Sequence, residues 1–444
     1  MPLRPALALA LLAPCLAFAA AGDETALRKF SFGSAPAFVG NSVDADNVFT
    51  AARSYGFEPG ARLTATDTAI ESTQPFYFSA AVPAEGNYRV TVTFPPGADV
   101  TVKAELRRLM VERIVVPRGQ PAATRTFIVN TRTPKISAVS ATATAPAIAA
   151  GEVRLKAPRE TTQEAWAWDN LLTLEFNGAH PAVSAIVIEP TPAAMPTIFL
   201  IGDSTVCDQS KEPFNSWGQM LPNWFKPEVA IANHGESGET YRDSIGRRRL
   251  DKMLSVMKPG DWLLMQFGHN DQKQIAAGTG APFTTYQAEI KKHVDAVRAH
   301  GGTPIIVSPM ERRGFDAAGK VLPSLADYAK AARQTAEQLG VAFIDLNALS
   351  KPFYEALEAR GPEFSRRAFA GQDNTHHNNY GSYELSKLIV QSIRDQKLPL
   401  AKYISAEFQP AKRFDPAHPD DVAAFAVPAS PSFTNQRPLG DEGK

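Results

Sequence analysis

The sequence predicts a two-domain chain: an antiparallel β-sandwich over residues 25–190, followed by an α/β domain with a parallel sheet over residues 197–400. Three observations predict it. Apolar and polar residues alternate with period 2 through the first half, as in strands that bury one face. In the second half, short apolar runs alternate with helical patterns. Between the halves, residues 190–196 hold three prolines and read as an extended, semi-rigid linker. A length of 444 residues suits two or three domains at roughly 150 residues each.

In chain order, residues 1–21 read as an export signal. Arg4 supplies the positive start, residues 6–19 are almost all apolar, and Ala17, Ala19 and Ala21 offer small-residue cleavage positions. The apolar stretch falls short of the ~20 residues that span a bilayer. Pro14 argues against Cys15 as a lipid-bearing residue, and no other segment is long and apolar enough to span. After cleavage Cys207 is the remaining cysteine, so the exported chain folds without an internal disulfide.

In the first domain Tyr88, Val90, Val92 and Phe94 alternate with polar residues, as do Val100, Val102 and Ala104, then Leu172, Leu174 and Phe176. Turn signals at residues 85–87, 95–97 and 118–119 separate such runs. Trp166 and Trp168, two apart, are expected to share a face, as a sugar platform or as core. In the second domain, apolar runs at 198–201, 262–265, 304–307 and 341–344 predict buried strands. Leu250, Met253, Leu254 and Met257 mark one helix face; Leu325, Tyr328, Ala332, Ala336 and Leu339 another; Leu385, Leu388, Ile389 and Ile393 a last one. Residues 401–444 hold six prolines and little periodicity, and read as a tail that wraps the surface or stays mobile.

Composition excludes some functions. Lys+Arg and Asp+Glu both number 46, so the chain lacks the basic footprint of a nucleic-acid binder. Hydrophobic residues at 44% and charged residues at 21% exclude wholesale disorder.

Chemistry-bearing residues gather at predicted strand ends, where open α/β sheets bind ligands. Gly202-Asp203-Ser204 closes the first strand; Val206 departs from the Gly-x-Ser-x-Gly elbow, and a turn serine is the plain alternative. Residues 233–240 read Asn-His-Gly-Glu-Ser-Gly-Glu-Thr, residues 268–271 Gly-His-Asn-Asp, and residues 373–377 Asp-Asn-Thr-His-His. An asparagine at a strand end can donate to a developing oxyanion. Asp and His three apart on a loop can pair while one ring nitrogen stays free. His234 and His269 read as hydrogen-bonding partners of neighbouring loops, and Cys207 as a small buried residue. Arg242, Arg247, Arg248, Arg249, Arg312 and Arg313 follow cleft-forming loops, either as carboxylate binders or as solvated helix faces. Arg312 is the first substrate-binding candidate and Arg242 the second.

Together the four blocks resemble the SGNH, or GDSL, hydrolases, and their wording is similar to the rhamnogalacturonan acetylesterase branch. The resemblance covers residues 197 to about 400, and the first domain resembles the galactose-binding-like domain of bacterial members. It implies a flavodoxin-like three-layer domain that needs no metal or cofactor. It implies Ser204 as nucleophile, His376 as base and Asp373 as its orienting partner. The Ser204 and Gly238 N–H groups and the Asn270 amide become the oxyanion hole. The implied substrate is an acetylated acidic polysaccharide; an esterase for xylan or another acyl ester is the nearest alternative. Two other classes stay open: a metal-dependent hydrolase using Asp373, His376 and His377, and a carbohydrate-binding protein with an inactive hydrolase domain. The family spacing Asp-x-x-His favours His376 over His377.

Overall fold

The computed structural model describes residues 27–34, 40–408 and 414–431; the expected export signal lies outside them. The second domain is built on five parallel strands: β1 (Thr197–Gly202), β2 (Ala230–Asn233), β3 (Trp262–Gln266), β4 (Thr303–Val307) and β5 (Ala342–Ile344). Their order is β2-β1-β3-β4-β5, the flavodoxin-like arrangement. The order reverses between β1 and β3, which opens a crevice beyond their carboxyl ends. Both faces of the sheet are covered, as a parallel sheet requires. Ile198, Leu200 and Leu264 pack with Trp217 and the helix Asn379–Asp395 on one face. Phe199, Ile201 and Met265 pack on the other with Tyr241, Ile290 and Tyr328, from the helices Tyr241–Gly246, Gln287–Ala299 and Ala326–Leu339.

The first domain packs two five-stranded sheets face to face. One runs Ala123–Thr131, Gly86–Phe94, Ala185–Pro190, Arg28–Phe32, Asn41–Val43; the other Tyr55–Phe57, Phe76–Ala81, Leu171–His180, Asp99–Ala104, Arg108–Val115. All these pairings are antiparallel except that of Arg28–Phe32 with Asn41–Val43. Phe30, Phe32, Phe57, Phe76 and Phe78 fill the core with mostly tilted and edge-on ring contacts.

Two expectations change. Strands Asp99–Ala104 and Leu171–His180 do not wet their polar face, because residues 428–430 cover it. Lys103 Nζ donates to Pro428 O and Ser430 Oγ at 2.7 Å, Ser430 Oγ to Glu175 Oε2 at 2.8 Å, and Asn177 Nδ2 to Ala429 O at 2.9 Å. Residues 428–430 of the tail therefore cover the sandwich, while Phe414, Val422 and Phe425 pack on the second domain's core. Trp166 and Trp168 lie at a 3-10 turn over Ala165–Ala167, not on a strand, so they share no strand face. Trp168 is buried with its indole N–H on Glu160 at 3.0 Å, while Trp166 lies edge-on to Tyr77.

The hairpin tip at residues 105–107 joins the domains. Glu105 and Arg107 take left-handed φ values of 54° and 61°, uncommon without glycine. The tip thereby drives Leu106 into the second domain's core and Arg107 into its loops. No helix among the described residues is long and apolar enough to cross a membrane.

Candidate active site

Ser204 stands two residues past β1, on a turn fixed from below by Asp203. The Asp203 carbonyl accepts from the Val206 and Cys207 N–H groups, and its carboxylate accepts from Thr205 N and Oγ1 at 2.9 and 2.8 Å. The other carboxylate oxygen meets His269 Nδ1 at 3.3 Å. Burial alone would raise the Asp203 pKa; the neighbouring His269 ring and these hydrogen bonds outweigh it and hold it below the usual range. Gly202 is required by close approach, since a Cβ there would lie 2.4 Å from Gln266 O.

His376, the expected base, lies on the loop before the helix Asn379–Asp395. Asp373 Oδ1 accepts the N–H groups of Thr375 and His376 at 2.6 and 2.9 Å, a side-chain-closed turn that shapes the loop. Its Oδ2 lies 2.8 Å from His376 Nδ1, and His376 Nε2 lies 2.8 Å from Ser204 Oγ. Burial pushes the Asp373 carboxyl up, but the hydrogen bonds from His376 and Thr375 prevail and keep it below its ordinary value. His377 points away: its Nε2 meets Tyr354 Oη at 2.8 Å and its ring packs between Tyr354 and Phe369. The two histidines therefore do not converge on one point, and His376 has both ring nitrogens engaged.

Residues 236–239 form the facing turn. Gly238 has φ +76°, the left-handed value of a type II turn's third residue, and Glu239 N closes the turn on Glu236 O. Asn270, just past β3, donates its amide to Glu239 O at 3.1 Å and accepts from Lys273 Nζ at 2.8 Å. Among the described residues, neither the Ser204 nor the Gly238 backbone N–H has a hydrogen-bond acceptor.

Comparison with known proteins gives the family. The model of the GDSL-like lipase/acylhydrolase family matches residues 200–382. Rhamnogalacturonan acetylesterase RhgT of Bacillus subtilis (strain 168) is 35% identical over 222 residues, covering 47% of this chain and 93% of that protein. The chain belongs to the GDSL-like lipase/acylhydrolase family. A second relative, probable rhamnogalacturonan acetylesterase YesY of the same organism, is 31% identical over 215 residues, covering 47% of this chain and 98% of that protein. The crystal structure of protein YxiM from Bacillus subtilis aligns with 84% of this chain and 99% of that one, at 23% identity and a TM-score of 0.44. The protein is thus a carboxylic ester hydrolase.

In this GDSL-like domain Arg312 braces the site's loops. Its Nε meets Thr375 Oγ1 at 3.2 Å, Nη1 meets Gln272 Oε1 at 2.9 Å and Nη2 meets His269 O at 3.2 Å. Arg242 is engaged by Glu289 and Thr279 O, and Arg313 by Ser365 and Pro362 O. The 247–249 run is not a solvated face. Arg249 is fully buried between Glu160 and Glu239, at 2.6 and 2.8 Å. Arg247 and Arg248 donate to Arg154 O and Ala149 O of the first domain. His269 hydrogen-bonds the neighbouring loop after β1 through Asp203, as expected, whereas His234 packs on Phe199 and Trp168 and its Nδ1 has no hydrogen-bond partner among the described residues. Cys207 is buried, and burial pushes its thiol well up.

Sequence reasoning missed what the first domain gives the site. Lys156 Nζ donates to Ser237 O at 2.5 Å, directly beside Gly238. Arg107 donates to Gln209 O at 3.0 Å, Phe214 O at 2.9 Å and Asn379 Oδ1 at 3.2 Å, and pairs with Glu212. It ties the loop after Ser204 to the helix after His376. No sequence pattern marks either residue.

Proposed function

We propose that the protein is an exported acetylesterase that removes acetyl groups from pectic rhamnogalacturonan through a Ser204–His376–Asp373 acyl-enzyme. The hydrogen-bond chain from Asp373 through His376 to Ser204, 2.8 Å at each step, carries the reading. The names of the two relatives support the polymer.

In this mechanism His376 Nε2 takes the Ser204 proton as Oγ attacks the ester carbonyl. Asp373 holds the proton on Nδ1 and stabilises the imidazolium. The oxyanion sits among the unspent N–H groups of Ser204 and Gly238 and the Asn270 amide. His376 then protonates the departing sugar hydroxyl. Water, deprotonated by the same imidazole, attacks the acetyl-serine and releases acetate.

Acetate release by the purified protein from acetylated rhamnogalacturonan, homogalacturonan and xylan tests the reading. The fastest release is expected from rhamnogalacturonan; a clear preference for xylan would overturn the pectic assignment and leave the esterase chemistry standing. Export through residues 1–21 is tested by cell fractionation and N-terminal sequencing. The expected product is a chain that begins just after the alanines at 19–21, outside the cytoplasm; an intact cytoplasmic chain would contradict it.

A further inference from the structure

An asparagine amide has two ends of nearly equal size, one an acceptor and the other a donor of two N–H bonds. Shape alone does not decide which end of Asn270 faces the cleft, so the choice falls to its hydrogen-bond partners. Each partner works in one sense only. Glu239 O, a carbonyl that can only accept, takes one N–H of Asn270 Nδ2 at 3.1 Å. Lys273 Nζ, an ammonium that can only donate, meets Asn270 Oδ1 at 2.8 Å. Turning the amide over would set carbonyl against carbonyl and N–H against ammonium. The second N–H of Nδ2 has no acceptor among the described residues.

The chain itself places Lys273 for this contact. Lys273 opens the short helix Lys273–Ala276, and its N–H donates to Asn270 O at 3.0 Å, so the side chain returns over the turn it comes from. The residue is exposed, yet among the described residues its ammonium meets no carboxylate. Lys252 and Lys258, by contrast, pair with Glu85 and Asp261 at 2.7 and 2.9 Å. The Lys273 charge is spent on a neutral oxygen. A hydrogen bond from a charged donor is stronger than one between neutral groups, and it draws electrons from the amide. The remaining N–H becomes a better donor, with most effect where negative charge develops.

We propose that Lys273 is a positioning residue for ester hydrolysis: its ammonium fixes and polarises the Asn270 amide so that the second N–H meets the oxyanion. The inference rests on the reading of Asn270 as an oxyanion donor. An interaction that gains strength in the transition state raises kcat and leaves ground-state binding alone. A lysine that instead held an acidic polymer would act on KM for that polymer and leave a small neutral ester unaffected.

Steady-state kinetics on a small neutral acetate ester test it, with Lys273→Met, Lys273→Arg, Asn270→Ala and the double variant Lys273→Met with Asn270→Ala. Lys273→Met is expected to lower kcat about tenfold while KM changes less than about twofold. Lys273→Arg, which keeps a cationic donor, is expected to recover most of the loss. In the Asn270→Ala background there is no amide to hold, so adding Lys273→Met is expected to change kcat less than about twofold. A merely structural role would fail that comparison, because damage to the fold adds to the loss of Asn270. An impaired Asn270→Ala beside a Lys273→Met with the parent's kcat would overturn the proposal and leave the oxyanion reading standing. So would equal losses from Lys273→Met in both backgrounds. An Asn270→Ala with unchanged turnover would remove the oxyanion reading, and the proposal with it.

Discussion

Two adjacent histidines with opposite surroundings show how much a residue's environment decides. His376 keeps its ring between a carboxylate and a hydroxyl at the cleft, whereas His377 is buried among Tyr354 and Phe369. Burial, helped by the nearby His376 and His269, lowers the His377 pKa to about 3. The folded ring stays neutral while the unfolded chain takes up a proton below pH ~6.5. Its contribution to stability is therefore full above that pH and lost as pH falls toward 3. At pH 4 the loss is roughly 3 kcal/mol at 1.36 kcal/mol per unit. Urea denaturation between pH 7 and 4 should show a shallower acid loss in His377→Gln than in the parent; parallel losses would refute the assignment. At the cleft, Asn270→Ala should fold normally and lose about 10²–10³ in kcat. Unchanged turnover on a small acetate ester would remove Asn270 from the oxyanion hole.

At the scale of elements, the turn at residues 236–239 is held by residues from outside its own domain. Lys156 donates to Ser237 O and lies 3.7 Å from Glu239, which is itself paired with Arg249. Lys156→Met frees the carbonyl beside Gly238 without touching the substituents of the ester. Kinetics on a small acetate ester should show kcat down roughly ten- to a hundredfold with KM little changed; a change in KM alone would make Lys156 a binding residue. This support is not legible in sequence, since a lone lysine in a loop carries no pattern. The strands themselves are legible, because β1, β3 and β4 are continuous apolar runs and Gly86–Phe94 alternates cleanly. So are the blocks after β1, β2 and β3, each of which directly follows a strand. Their convergence with residues 373–376, more than a hundred positions later, depends on the sheet order and is legible only through family resemblance.

At the scale of the molecule, the interface between the domains is a charged one. Arg249 binds Glu160 and Glu239 with all three side chains buried, Arg108 meets Asp208, and Arg107 reaches the loop after Ser204 and the helix after His376. Local composition suggests a solvated face for residues 247–249 and a wet sheet around Lys103, because charge reads as exposure until the covering segment is known. Arg249→Ala strands two buried carboxylates and should cost about 3–5 kcal/mol. Denaturation followed by tryptophan fluorescence should show that loss, with partial recovery when Glu160→Gln and Glu239→Gln are added; an unchanged midpoint for the single variant would mean the charges are hydrated rather than paired. The arginine-bearing hairpin tip and the cleft thus form one unit around Ser204, the proposed nucleophile. Treatment of the full-length protein with an organophosphate, followed by peptide mass spectrometry, tests that claim most directly. The account predicts stoichiometric loss of esterase activity with the adduct on Ser204; full activity after treatment, or an adduct on another residue with Ser204 unmodified, would contradict it.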